Sequence, residues 1–176
     1  MQHFMKKTLL TTIITITGIF SLSAVEKGDV VLQPSLNLGA YGPYYRYSDG
    51  SWGGVIFNAD FAVHDYISVG PYLGFNSGNG FNSIGVGARG VFHWWQLIDD
   101  RRSGRLRSDQ FDIYLPFYVG FRKVRNNEGV QINLRDDFLP GIGLGFRYYF
   151  NDNIGIAFEF GGMEMSSAKL GVAIKL

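Results

Sequence analysis

The stretch KLGVAIKL, Lys169–Leu176, closes the sequence and alternates without a break. Leu170, Val172, Ile174 and Leu176 fall on one side, and Lys169, Gly171, Ala173 and Lys175 on the other. A period of two is that of a strand, whose successive side chains point to opposite faces. One face here is bulky and apolar; the other is charged or small. A strand at this position is expected where the last strand of a sheet has to pair with the first.

The same alternation recurs upstream in seven further segments, each near the length of about 9 to 11 residues that a tilted strand needs to cross a bilayer. Val30, Leu32, Pro34, Leu36 and Leu38 oppose Val31, Gln33, Ser35, Asn37 and Gly39. Val55, Phe57, Ala59, Phe61 and Val63 oppose Gly54, Ile56, Asn58, Asp60 and Ala62, and Ile67 to Phe75 repeats the pattern against Ser68, Gly70, Tyr72, Gly74 and Asn76. Ile84, Val86, Ala88, Phe92 and Trp94 oppose Ser83, Gly85, Gly87, Arg89 and His93. Phe111 to Phe121 sets its odd positions against Asp112, Tyr114, Tyr118, Gly120 and Arg122. Phe138, Ile142, Leu144, Phe146 and Tyr148 oppose Gly141, Gly143, Gly145 and Arg147, and Ile154 to Phe160 opposes Gly155, Ala157 and Glu159.

The two faces differ in kind. One is almost wholly Leu, Ile, Val and Phe, while the other collects Asp60, Arg89, Asp112, Arg122, Arg147, Glu159, Lys169 and Lys175 among glycines. Gly is costly in an exposed strand and suits places where backbones or large side chains crowd together. The small, polar face is therefore assigned to a lumen and the bulky apolar face to lipid, as in a transmembrane barrel. A soluble barrel would reverse the two.

Composition agrees with many strands. Gly stands at 24 residues, Pro at 5 and Cys at 0, with a net charge of +1 over 176 residues. This near-neutral balance gives no electrostatic case for nucleic acid, and the absence of cysteine excludes a disulfide framework and a thiolate zinc site. His3, His64 and His93 are too scattered to suggest a metal centre, so no cofactor is expected. Residues 1–23 read as a signal peptide, with Lys6 and Lys7 ahead of an apolar Leu9 to Leu22 core and small residues at the cut, after Ser23 or Ala24. The mature barrel is expected over 24–176.

Odd connections such as YGPYYRYSDGSWG and KVRNNEGVQINLRDD are long, whereas the even ones include HDY and NDN. Long loops at one rim and tight turns at the other fit an outer-membrane barrel with its termini on the periplasmic side. The even connection QLIDDRRSGRLRSDQ is the exception; Trp95 to Gln110 is expected to extend its hairpin beyond the membrane, its basic Asp99 to Arg107 turn solvated. Aromatics gather at strand ends: Tyr41, Tyr44, Tyr45, Tyr47 and Trp52 at the outer rim, and Tyr66, Trp94, Trp95, Tyr148, Tyr149 and Phe150 at the inner. Tyr and Trp favour the headgroup region, having apolar rings with polar tips.

The strands YISVGPYLGF, IGVGARGVFHW, FDIYLPFYVGF, GIGLGFRYYFNDNIGIAFEFGG and AKLGVAIKL resemble the small eight-stranded outer-membrane β-barrel proteins of Gram-negative bacteria, the OmpA/OmpX-like class, over the whole mature chain. The resemblance implies an all-β, antiparallel up-and-down transmembrane barrel in the outer membrane, surrounded by its lipids and assembled by periplasmic chaperones and the barrel assembly machinery. Such barrels usually finish on an aromatic residue, and Leu176 stands there instead.

An eight-stranded barrel is just wide enough for its side chains to fill it. Its inward charges are expected to pair, with Glu159 opposite Lys169 and diagonal to Arg147, and with Asp60, Arg89, Asp112 and Arg122 in the same lumenal network. Hydrolysis would need a serine, a histidine and an acid within reach of one another. Ser83 shares a face with His93 but lies about 33 Å along the strand, and nothing in the spacing gives His64 and Asp65 a serine. A non-enzymatic structural or surface-interaction role, carried by the outer loops, is the expected function. The alternatives are a narrow gated channel, a lipid-processing enzyme and a soluble ligand-binding barrel.

Overall fold

The computed structural model describes residues 25–40, 53–78, 81–102, 106, 108, 110–126, 137–162 and 165–176. Eight strands close into a barrel in sequence order: β1 Val30–Ala40, β2 Gly53–His64, β3 Ile67–Gly78, β4 Phe81–Phe92, β5 Phe111–Asn126, β6 Asp137–Tyr149, β7 Ile154–Gly162 and β8 Ser166–Lys175. Every neighbouring pair is antiparallel, including β1 with β8, where Val31 faces Lys175 and Asn37 faces Lys169. The Leu176 N–H donates to the Val30 carbonyl at 2.9 Å, so the KLGVAIKL strand seals the ring. Closure removes the sheet edges, whose unpaired N–H and C=O groups have no partners in hydrocarbon.

The alternation sorts the side chains as the sequence demands. Each strand shows an apolar residue to the outside: Leu36, Phe57, Leu73, Val86, Phe117, Ile142, Phe158 and Leu170 are 39–59 % exposed. Such a belt far exceeds the apolar patches that soluble proteins leave open to water. Inside lie Asp60, Arg89, Asp112, Arg147, Glu159 and Lys169, none more than 2 % exposed. Two lumenal glycines show why small residues are needed there. A Cβ on Gly145 would stand 2.2 Å from the Tyr114 ring, and one on Gly85 would stand 2.3 Å from the Met165 sulfur.

Two expectations need correction. β4 stops at Phe92, and Trp94–Arg101 is a helix, α1, rather than a continued hairpin. The buried residues of α1 are Gln96 and Asp99, three apart on one helical face. That buried face is polar, so no apolar stripe announced a helix. Its C-terminal Arg101 suits the negative end of the helix dipole. Asp99 fastens the following segment by accepting the N–H groups of Leu106 at 2.7 Å and Ser108 at 2.9 Å. The second correction concerns Tyr149, which is 2 % exposed and turned into the lumen rather than standing in the rim girdle.

The rest of the inner rim is aromatic. Trp94 and Trp95 meet edge to face with centroids 6.0 Å apart, and Tyr148 packs on Phe111 and Phe150. The Tyr66 hydroxyl donates to Asp100 at 2.7 Å, tying the β2–β3 turn to α1. That hydrogen bond, then burial and the charges of Asp100 and Asp65, raise the Tyr66 phenol above its ordinary value. The outer-rim residues Tyr41, Tyr44, Tyr45, Tyr47 and Trp52 lie outside the described residues.

Candidate functional site: an ionic cluster in the lumen

The middle of the lumen is organised around Glu159, on β7. Its Oε1 accepts from Gln33 Nε2 at 2.6 Å, Arg89 Nη2 at 2.7 Å and the Tyr114 hydroxyl at 2.7 Å. Its Oε2 accepts from the Tyr118 hydroxyl at 2.5 Å and faces Lys169 Nζ at 3.1 Å. Five donors from β1, β4, β5 and β8 thus converge on one carboxylate, reaching it from around the barrel wall. A buried charge needs this degree of satisfaction to offset its desolvation.

The register explains part of the arrangement. Glu159 stands directly opposite Lys169 in the β7–β8 pair, the register that a compact connection between these strands gives. The diagonal Arg147 turns elsewhere, placing Nη2 2.5 Å from Asp60 Oδ2 and Nη1 3.5 Å from Asp112 Oδ2. Its Nε also donates to Gln33 Oε1 at 2.9 Å. Arg89 joins the two halves, bridging Asp60 at 3.2 Å and Glu159 at 2.7 Å. The cations also lie over aromatic faces, Arg147 at 4.3 Å from the Tyr114 centroid and Lys169 at 4.6 Å from that of Tyr118, which adds to their attraction.

With Asp60, Asp112 and Glu159 against Arg89, Arg147 and Lys169, the cluster balances three formal negative charges with three positive. Arg122 is buried on the same lumenal face nearer the outer rim, across the β5–β6 register from Asp137. Lys175 stands at the inner rim, 4.0 Å from Asp29.

Above this cluster, toward the outer rim, the carbonyl of Met165 accepts from Asn37 Nδ2 at 3.1 Å and Asn76 Nδ2 at 3.0 Å. The Ser166 hydroxyl donates to Asn37 Oδ1 at 2.6 Å. These bonds hold the start of β8 inward, so that the fully buried Met165 side chain packs on Ile56.

Below the cluster lies a constellation that spacing along one strand did not reveal. His93 Nε2 is 2.9 Å from the Ser68 hydroxyl, and His93 Nδ1 is 2.9 Å from Asp112 Oδ2. Ser83, the serine compared with His93 on β4, is not the one involved. The β3–β4 register was the missing signal: it pairs Ser68 with Val91, two residues from His93 on the same face. All three side chains are buried, and Asp112 also serves Arg147. The members Gln33, Tyr114 and Tyr118 share the face of the charged residues but carry no charge of their own to mark them. His64, by contrast, ends β2 in an exposed position, where its Nδ1 accepts the Tyr66 N–H of the β2–β3 turn at 3.3 Å.

No protein-family model and no curated protein matches the sequence. Similarity to solved structures is clear at the level of fold. The N-terminal barrel domain of Pseudomonas aeruginosa OprF superposes with a TM-score of 0.54 at 13 % identity, covering 86 % of this chain and 100 % of that one. Ail, the attachment invasion locus protein of Yersinia pestis, gives 0.51 at 14 % identity over 86 % of this chain and 100 % of its own. A de novo designed transmembrane β-barrel gives 0.53 at 18 % identity over 86 % and 98 %. With its closed eight-stranded ring, apolar exterior and polar interior, the chain has the fold of the small outer-membrane β-barrel proteins.

Proposed function

We propose that the chain is an integral outer-membrane protein of a Gram-negative envelope, with a filled polar lumen and a structural or surface-interaction role carried by its outer loops. The observation that carries this reading is the five-fold coordination of Glu159, which ties four other strands to one carboxylate in the lumen. A solute would have to break several buried, charge-assisted bonds to pass, so the interior acts as a brace and a stopper. Outer-membrane lipid is the surrounding partner of the apolar belt. Chaperones and the barrel assembly machinery are the partners of biogenesis, because the belt must be kept from water until it is inserted. The similarity to a protein named for attachment and invasion supports a role at the cell surface, and the Tyr-rich 41–52 segment is the candidate contact.

Planar-bilayer recording on the refolded protein tests the reading. A quiet bilayer is the expected result, and reproducible unitary conductance would favour the gated channel. A second reading, a lipid-processing hydrolase, is favoured by the Ser68–His93–Asp112 distances. An acyl carbon would have to approach Ser68, which is 1 % exposed, beside a His93 that is 0 % exposed. A fluorophosphonate probe should leave the folded protein unlabelled; labelling that disappears in Ser68→Ala and His93→Ala would establish the hydrolase instead.

A further inference from the structure

We infer that the exported chain is cut after Ser23 and that Val25, carried on a short strap over 25–29, is the stopper of the inner mouth of the barrel. This rests on the reading of the chain as an exported outer-membrane protein and adds how its inner end is finished.

Val25 precedes β1, yet it is completely buried. It clusters with Val31 of β1, Ala62 of β2, Tyr149 of β6, Ala157 of β7 and Ala173 of β8. Five of the eight strands therefore contribute to one apolar cluster that takes in a residue outside the sheet. This cluster lies next to the charged interior: Ala62 is the register partner of Ser68, whose hydroxyl meets His93. An apolar seal at that level keeps water from the ion pairs, whose strength depends on a low local dielectric.

The strap is built to hold the valine in place. The Gly28 N–H donates to the Ala62 carbonyl at 2.9 Å, and the Ala62 N–H returns a bond to the Asp29 carbonyl at 2.9 Å. The Lys27 N–H reaches Asp65 Oδ1 at 3.0 Å, across in the β2–β3 turn, and the Glu26 N–H reaches Asp29 Oδ2 at 2.8 Å. Gly28 turns the chain at φ 102°, a left-handed value that side-chain-bearing residues rarely adopt.

Two features of the chain place the cut. Cleavage after Ser23 leaves small residues, Ser21 and Ser23, at both positions of the small-residue signal, whereas cleavage after Ala24 leaves Leu22 at one of them. Cleavage after Ala24 would also put the new α-ammonium on Val25 itself, carrying a charge into an apolar cluster at a high desolvation cost. A chain starting at Ala24 keeps that charge one residue away.

The chain lacks cysteine, so single thiols can be placed without background. Full-length Val25→Cys and Lys27→Cys proteins would be recovered from outer membranes, weighed intact, and treated with a charged maleimide before and after urea unfolding. We expect a mature mass beginning at Ala24, and labelling of folded Val25→Cys at least about tenfold slower than that of Lys27→Cys, becoming equal on unfolding. Equal rates in the folded protein, or a mature chain that begins anywhere other than Ala24, would overturn the inference. A chain missing from the membrane fraction fails the outer-membrane reading, whereas a membrane-inserted barrel with a fast Val25→Cys fails the stopper alone.

Discussion

Phe158 and Glu159 are neighbours on β7 and live in opposite solvents. Phe158 is 39 % exposed on the outside of the barrel, while Glu159 is 0 % exposed within it. The backbone between them is uniform strand, so what separates them is the alternation alone. The comparison teaches that this protein is inside out relative to a soluble domain. Its outer wall is held by lipid acting on side chains that make few specific bonds, and its interior by a small number of bonds that must all be made. The two regions should therefore fail differently when altered.

The largest expected effect lies inside. Glu159→Leu removes the shared acceptor and leaves Arg89 and Lys169 buried without it, which should cost about 3–5 kcal/mol of unfolding free energy. Urea titration of the lipid-reconstituted barrel, followed by heat-modifiable gel mobility, reads the loss. A change under 1 kcal/mol, far below that range, would mean that the lumenal ion cluster does not brace the wall. Outside, Phe57→Arg near the middle of β2 should cost about 2–4 kcal/mol in phospholipid vesicles. A soluble β-sandwich would tolerate the same change on a solvated face.

Gly145→Ala sharpens the comparison from the glycine side. Its new Cβ would stand 2.2 Å from a Tyr114 ring whose hydroxyl is pinned to Glu159, so about 1–3 kcal/mol of overpacking strain is expected. Gly53, whose added Cβ would meet nothing within 4 Å, is the control. The smallest effect belongs to the segment beyond the barrel. Burial pushes the Asp99 carboxyl upward, but hydrogen bonds from the Ser108 side chain and from the Leu106 and Ser108 N–H groups outweigh it and hold it below its ordinary value. Its contribution is therefore present above the unfolded carboxylate pKa and lost as the pH falls through the lower folded value. Hydrogen exchange should show α1 loosening in acid before the barrel does, and Asp99→Asn should cost about 1–2 kcal/mol at neutral pH. An α1 that melts only together with the barrel would contradict that order.

The wall was legible in the sequence because a lipid-facing barrel repeats one simple rule eight times. Phe57 beside Asn58, or Phe146 beside Arg147, is enough to assign both faces. The opposition of Glu159 and Lys169 was legible too, since a short β7–β8 connection fixes their register. Other features needed three dimensions. Arg147 had several carboxylates on its face to choose from, and only the positions of Gln33 and Asp60 across the lumen decide the choice. The partnership of Ser68 and His93 joins two strands through register rather than along one. The α1 helix hid because its buried residues, Gln96 and Asp99, look like loop residues when read one at a time.

Spin labelling along β2 tests the orientation of the wall most directly, with single cysteines at successive positions from 55 to 63 of this cysteine-free chain in a lipid bilayer. Collision rates with lipid-dissolved oxygen should alternate, high at Val55, Phe57, Ala59, Phe61 and Val63 and low at Ile56, Asn58, Asp60 and Ala62. Alternation in the opposite phase, or uniform shielding of the odd positions from oxygen, would contradict it.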